Sequence, residues 1–247
     1  MHLAVFGASG GIGTHVVALA SQRGHQVRAV HRTAPPSPLP RQAEVLLATD
    51  IFDPAVVAAA IRGADVVVAV AGPNFATRHN PRSALTSPAD LHERLAAFIV
   101  AALKASAAAA RPPARLIAVS TASMGPADKI MGLGPKLLFR FLRNVPVPNL
   151  GRVGKDLQAM EDVLAASGLD WYALRPVKLT DGPLTSHVVA SDRFSMKTIS
   201  RADVAWQILA LAENHARGLS RTPVITSGPG RKSRSAETIG QAGEIVS

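Results

Sequence analysis

The chain contains no cysteine, which excludes a disulfide framework, thiolate metal sites and a thiol nucleophile, and leaves packing alone to hold the fold. Aromatic side chains make up only 4%, little material for the stacking platforms that bind single-stranded nucleic acid. Acidic residues are also short. There are 17 Asp and Glu against 27 Lys and Arg, a formal net charge of +10, and a field of that sign draws nucleic acid, an anionic membrane surface or small anionic ligands. Long hydrophobic runs are missing, since nothing approaches the roughly 20 apolar residues of a spanning helix. Residues 1–22 carry no Lys, Arg, Asp or Glu, yet they have no basic leader, and Gly7, Gly10, Gly11 and Gly13 break the apolar run. They do not read as a secretory signal, and a cytoplasmic protein is expected.

What is present is a chain of 247 residues, 47% hydrophobic and 18% charged, the balance of a folded protein long enough for one large α/β domain. The apolar pattern switches period repeatedly. Short apolar runs at 3–6, 26–31, 43–48, 65–71, 115–120, 169–174 and 222–226 predict strands. Helical spacing predicts helices from Ile12 to the C-cap at Gly24, at 54–61, about 88–109, 155–167 and 200–214, the last with Ser200 as N-cap. The almost wholly apolar run at 65–71 suits a central parallel strand covered on both faces. This alternation predicts a Rossmann-like doubly wound parallel sheet in a single domain over 1–227.

Two stretches break the rhythm. Residues 123–154 are rich in Gly and Pro around Lys136-Leu-Leu-Phe-Arg-Phe-Leu-Arg143, and from Lys129 to Lys155 there are six basic residues and no acidic one. Such a segment could be an amphipathic membrane-surface helix, a nucleic-acid patch, an ordinary helix with a wet basic face or a lid over an anionic, hydrophobic substrate. Its place after the fifth strand favours the lid. Residues 228–247 read as a flexible basic tail. The eight histidines are scattered with no ligand pair at helical spacing, so no metal is expected; His79 sits in a loop that could reach a cofactor mouth. Asp156, Glu161 and Asp162 share one helix and are expected to face solvent.

Gly7-Ala-Ser-Gly-Gly-Ile-Gly13 joins the first strand to a helix N-terminus. Glycines let the backbone approach a pyrophosphate, and the free N–H groups and positive helix end attract it. Gly7, Ser9, Gly10, Gly11 and Ile12 are therefore candidate cofactor ligands. NAD sites usually place Asp or Glu after the second strand, but this chain has Arg28-Ala-Val-His-Arg32 there. Arg32, helped by Ser9 and Thr33, would pair with a 2′-phosphate, so NADP(H) is preferred over NAD(H).

The glycine loop, Thr49-Asp50-Ile51, Ala71-Gly72-Pro73-Asn74, Val119-Ser120-Thr121-Ala122, Val163-Leu-Ala-Ala-Ser-Gly-Leu-Asp-Trp171, Leu174-Arg-Pro176, Asp181-Gly-Pro-Leu-Thr185 and Ile199-Ser-Arg-Ala-Asp-Val204 occur in an order and spacing that resembles the short-chain dehydrogenase/reductase superfamily. The likeness is to its atypical NAD(P)H-binding branch, which includes flavin reductase/biliverdin-IXβ reductase. The resemblance implies that Asp50 and Ile51 contact adenine, that Gly72 lies at the cofactor, and that Lys155 holds the nicotinamide ribose. It also implies that Pro176 and Val177 face the carboxamide, and that Thr121 or Ser120 hydrogen-bonds the substrate. Thr121, Ser120 and Lys155 are the candidate catalytic residues.

One departure matters. The tyrosine of Tyr-x-x-x-Lys would fall at position 151, which is Gly151, and the chain's one tyrosine, Tyr172, lies in an apolar strand where packing is expected. Hydride transfer to a flavin, quinone or conjugated pyrrole needs less help, because the acceptor delocalises the incoming charge and water or a hydroxyl can supply the proton. The expected function is an NADPH-dependent reductase of a planar aromatic or conjugated small molecule. Alternatives are a non-catalytic NADP(H)-sensing regulator that binds a protein partner and a tailoring enzyme of secondary metabolism. A monomer or homodimer is expected, without nucleic-acid or membrane partners.

Overall fold

The computed structural model describes residues 1–35, 37–74, 76, 83–106, 112–122, 149–193, 197–213 and 220–228. Most of the expected lid (123–148), His79 and nearly all of the expected tail (229–247) lie outside the described residues.

The elements in chain order are β1 (His2–Phe6), α1 (Gly13–Gln22), β2 (Gln26–His31), β3 (Ala43–Leu47), α2 (Pro54–Ile61), β4 (Val66–Ala69), α3 (Leu91–Ser106), β5 (Arg115–Val119), α4 (Leu150–Ala165), β6 (Trp171–Pro176), β7 (Lys178–Thr180), β8 (Val188–Ser191), β9 (Thr198–Ser200), α5 (Arg201–Glu213) and β10 (Val224–Ser227). The main sheet runs β3-β2-β1-β4-β5-β6-β10-β8, and β7 and β9 form a separate parallel pair. The sheet is parallel except at β8, which runs antiparallel to β10 on one edge. The predicted doubly wound sheet is thus present with an antiparallel edge strand, and β7, β8 and β9 are additions that the short mixed sequence after Pro176 did not signal.

Alternation along the strands sorts the core into two halves. Val5, Ala29, Val68, Ile117 and Leu174 pack with Val16 and Val17 of α1 and Ile208 and Leu209 of α5. Their neighbours Ala4, Phe6, Val30, Val67, Leu116, Ala118 and Ala173 pack with Val57 of α2, Leu95 and Ile99 of α3 and Met160 and Leu164 of α4. Strands buried on both faces read as continuous apolar runs, which is why they were visible in the sequence.

Capping residues fix the helix ends. Asp53 accepts the Ala55 N–H at 2.8 Å ahead of Pro54 in α2, and Ser200 Oγ accepts the Asp203 N–H at 3.0 Å in α5, as expected of Ser200. The Arg28 side chain reaches the carbonyls of Ala59, Ala60 and Arg62 at the far end of α2. Tyr172 is buried, with the Arg221 guanidinium 4.9 Å and the Arg115 guanidinium 5.8 Å from its ring centre.

Two expectations are corrected. First, α4 begins at Leu150, so residues 150–154 of the expected lid are its first turn. Gly151 and Gly154 argue locally against a helix by about 1 kcal/mol each, but α4 packs along α3 and that packing prevails. Second, Asp156 and Glu161 are buried; only Asp162 is exposed. Glu161 makes a two-pronged ion pair with Arg175 of β6, with side chains 5% and 7% exposed. Asp156 accepts the N–H groups of His92 and Glu93 at 3.0 and 2.8 Å and the His92 Nδ1 at 2.6 Å, capping α3 from a different helix. Burial pushes the Asp156 carboxyl up, but the hydrogen bonds from His92 and from the two backbone N–H groups outweigh it and hold the group below the usual aspartate range.

A depressed carboxyl stabilises the fold at pH values above its unfolded pKa, and the contribution is lost as pH falls through the folded value. Asp156→Ala leaves three donors without an acceptor and should cost about 2 kcal/mol or more. Thermal melts across an acid series check this. Asp156→Asn should melt lower at neutral pH and lose less on acidification than the wild type.

Candidate functional site

Six parallel strands, in the order β3-β2-β1-β4-β5-β6, point their C-terminal ends to one edge of the sheet. The chain order reverses between β1 and β4, and a crevice opens outside such a reversal in doubly wound sheets. The residues singled out in the sequence follow these strand ends. Asp50 and Ile51 follow β3, Arg32 follows β2, the glycine loop follows β1, Gly72 follows β4, Ser120 and Thr121 follow β5, and Pro176 and Val177 close β6.

The glycine loop is held by backbone. Gly10 N–H donates to Gly7 O at 2.9 Å, and Thr14 N–H to Gly10 O at 3.0 Å. Gly7 has a φ of +84°, and a Cβ there would stand 2.5 Å from the Ala71 nitrogen beyond β4. At Gly13 a Cβ would collide with the carbonyl oxygen of Gly7. The loop is therefore pressed between the end of β4 and the start of α1, with no room for a Cβ at Gly7 or at Gly13. No side chain caps α1, and the N–H groups of Gly11, Ile12 and Gly13 have no carbonyl partner among the described residues. Unsatisfied donors at the positive end of a helix, backed by a cradle that any Cβ would fill, suit the diphosphate of a dinucleotide.

On one side of the loop stands Arg32, exposed and without an ion-pair partner among the described residues. His31 beside it is buried, its Nε2 has no partner among the described residues, and burial lowers its pKa, so the ring stays neutral next to Arg32. Ser9 is exposed on the loop itself. Asp50 is exposed, with Oδ1 taking the Phe52 N–H at 2.8 Å in a local turn, and its other oxygen has no partner among the described residues. Ile51 is half-buried.

On the other side, β5 and β6 are stitched together beyond their regular pairing. Ser120 N–H donates to Leu174 O at 2.7 Å, and Ala122 N–H to Pro176 O at 3.1 Å. These bonds set Ser120 and Thr121 beside Pro176 and Val177. Ser120 is buried and Thr121 half-buried. Lys155 is exposed on α4, one helical turn after Gly151, and a Cβ at Gly151 would meet nothing within 4 Å. The place of the absent tyrosine is thus open among the described residues.

Two residues to which the sequence gave no role also belong to this edge. Asp203 is fully buried near the start of α5 and accepts the Thr185 N–H and Oγ1 at 2.8 Å, the Ser186 N–H at 3.0 Å and the Ser227 Oγ at 3.1 Å. It pins the segment after β7, including Ser186 at a φ of 59°. Arg201, the first residue of α5, lies against Gly11 and pairs with Asp181. The motif Ile199-Ser-Arg-Ala-Asp-Val204 contains both, but a local motif does not say what it touches. A cavity of about 410 Å³ lies at the opposite edge, lined by Arg28, Arg41, Arg62 and Glu44. That is the wrong end of the strands for a ligand of a doubly wound sheet, and Arg28 is committed to the end of α2.

The family described as NAD(P)H-binding matches residues 7–215. Among solved structures, the chain is similar to a candidate NADH-flavin reductase from Streptococcus pneumoniae, at 21% identity over 92% of this chain and 100% of that chain, with a TM-score of 0.69. It is similar to an anaerobilin reductase from Escherichia coli O157:H7, at 22% identity over 92% and 97%, with a TM-score of 0.64. It is also similar to a wide-type short-chain dehydrogenase/reductase from Veillonella parvula in complex with NADP, at 18% identity over 93% and 95%, with a TM-score of 0.65. At these identities the structural likeness speaks for the fold.

The cradle predicts a contrast between two glycines. Gly13→Ala sets a methyl group against backbone that cannot swing aside and should cost about 3 kcal/mol or more, a fall in Tm of roughly 10 °C. Gly72→Ala, whose Cβ meets nothing within 4 Å, should stay within about 0.5 kcal/mol of the wild type. Calorimetric melts of the two variants read the difference.

Proposed function

The chain belongs to the NAD(P)H-binding family, and from that premise we propose that it is an NADPH-dependent reductase acting on a planar, conjugated small molecule of flavin or quinone type. The observation that carries the reading is the pairing of an uncapped, glycine-lined helix start with an arginine at the end of β2, where an NAD site would place a carboxylate. In this reading the N–H groups of Gly11 and Ile12 take the diphosphate, Arg32 and Ser9 the 2′-phosphate, and Asp50 and Ile51 the adenine. Gly72 leaves room for the cofactor backbone, Lys155 holds the nicotinamide ribose, and Pro176 and Val177 take the carboxamide. When bound, the reduced nicotinamide supplies a hydride.

The chain's own residues then have modest work. Thr121 or Ser120 orients the acceptor by a hydrogen bond, and residues 71–74 after β4 and 120–122 after β5 hold it against the nicotinamide face. With Gly151 in the tyrosine position, no phenol donates a proton to a carbonyl oxygen. A conjugated acceptor tolerates this, because the incoming charge spreads over its ring system and solvent or a hydroxyl protonates it. Flavin, named for the Streptococcus pneumoniae protein, is an acceptor of this class. The NADP complex of the Veillonella parvula protein supports the cofactor assignment. The absence of a membrane-length apolar helix among the described residues agrees with a cytoplasmic enzyme.

NADPH mixed with the protein and a panel of flavins and quinones should lose its nicotinamide absorbance faster than in controls lacking the protein. No oxidation with any acceptor, alongside tight NADPH binding and a protein captured from lysate, would favour the sensing regulator instead. Arg32→Ala should weaken NADPH by about 10- to 100-fold, the worth of a charged hydrogen-bonded pair, while leaving NADH within a few-fold. Fluorescence titration of the two nucleotides measures that selectivity.

A further inference from the structure

We propose that Arg201 is a second cation for the cofactor diphosphate, held in reserve by Asp181 until the nucleotide binds. The inference rests on the nucleotide reading above and adds to the site a residue on the last helix, far in sequence from the glycine loop.

The placement comes from the packing of α5 along α1. Both helices start at the C-terminal edge of the sheet, which brings the first residue of α5 to the loop that opens α1. A Cβ on Gly11 would lie 2.7 Å from Arg201 Cδ and 2.9 Å from its Nε. The arginine therefore lies across the glycine loop, and glycine at position 11 is what lets it do so. Its side chain is 17% exposed, while the Asp181 carboxylate it pairs with is 84% exposed.

The charges in this arrangement are unbalanced. A cation at the start of a helix opposes the helix dipole, and Arg201 stands at the positive ends of two helices, one of which has no side-chain cap. Against this there is Asp203 in the first turn of α5, but its two oxygens are taken by Thr185, Ser186 and Ser227. Among the described residues the remaining counter-charge is Asp181, and a pair in which one partner is so exposed is weak and easily exchanged. A diphosphate docked on the Gly11 and Ile12 N–H groups brings more charge and more acceptor oxygens to the same place, and a guanidinium meets phosphate oxygens two at a time. Binding then exchanges one anion of Arg201 for another, with Asp181 as the competitor.

Competition gives the two substitutions opposite signs. Titrations of the full chain with NADPH and with NADH at several salt concentrations are the test. Arg201→Ala should weaken both nucleotides about tenfold or more and flatten the salt dependence, because the contact is to the shared diphosphate. This differs from Arg32→Ala, which acts on NADPH alone. Asp181→Asn, at an exposed position that leaves the fold intact, should tighten both nucleotides several-fold. Arg201→Ala binding as the wild type does, or losing NADPH alone, overturns the proposal, and so does Asp181→Asn binding equally well or more weakly. Should Arg201→Ala fail to fold, the Asp181→Asn titration decides by itself. A wild-type chain that binds neither nucleotide removes the nucleotide reading, and this proposal falls with it.

Discussion

The close approach of backbone to backbone at the head of β1 is the constraint on which the rest of the molecule depends. Gly7 meets the Val70 and Ala71 backbone at the end of β4, and Gly13 meets Gly7 again from the start of α1. Three chain segments share a space with no room for a Cβ. This contact sets the height at which α1 leaves the sheet and the gap between β1 and β4 where the chain order reverses. It also fixes the direction in which the first N–H groups of α1 point. A side chain at either glycine would press the strand ends and the helix start apart.

Around that contact, buried acids do positional work. Asp156 holds the start of α3, Glu161 ties α4 to β6 through Arg175, and Asp203 holds the segment after β7 against α5. Each carboxylate is buried with its oxygens met by donors, the condition under which a charge survives away from water. All three lie on helices whose N-termini reach the C-terminal edge of the sheet, so the edge that carries the candidate site is also stiffened by polar ties. The opposite edge carries Arg28, Arg41 and Arg62 around a surface cavity, with Arg28 bonded to the end of α2.

The net charge of +10 acquires a place in this picture. Arg32 and Arg201 flank the glycine loop from two sides, one at the end of β2 and one at the start of α5. Two helix starts add their partial positive charge. A field of this kind attracts multiply charged anions. The site as read from the sequence contained only the first of these two arginines.

What the sequence by itself determined follows from local physics. Apolar runs bounded by Gly and Pro marked β1, β2, β4 and β5, because strands covered on both faces need such runs. Glycine spacing marked the tight loop between β1 and α1, and Ser200 marked its helix start, because capping is a contact between neighbours in the chain. The place of Arg32 just after β2 was legible because strand, breaker and loop follow one another without interruption. Tertiary structure alone decided the rest. Asp156 and Glu161 read as solvated charges, since their partners His92 and Arg175 lie 64 and 14 residues away. Gly151 and Gly154 read as loop until packing against α3 drew them into α4. Arg201 is 190 positions from Gly11 in the chain, a separation over which no periodicity or motif carries information, and only the docking of α5 on α1 brings the two together.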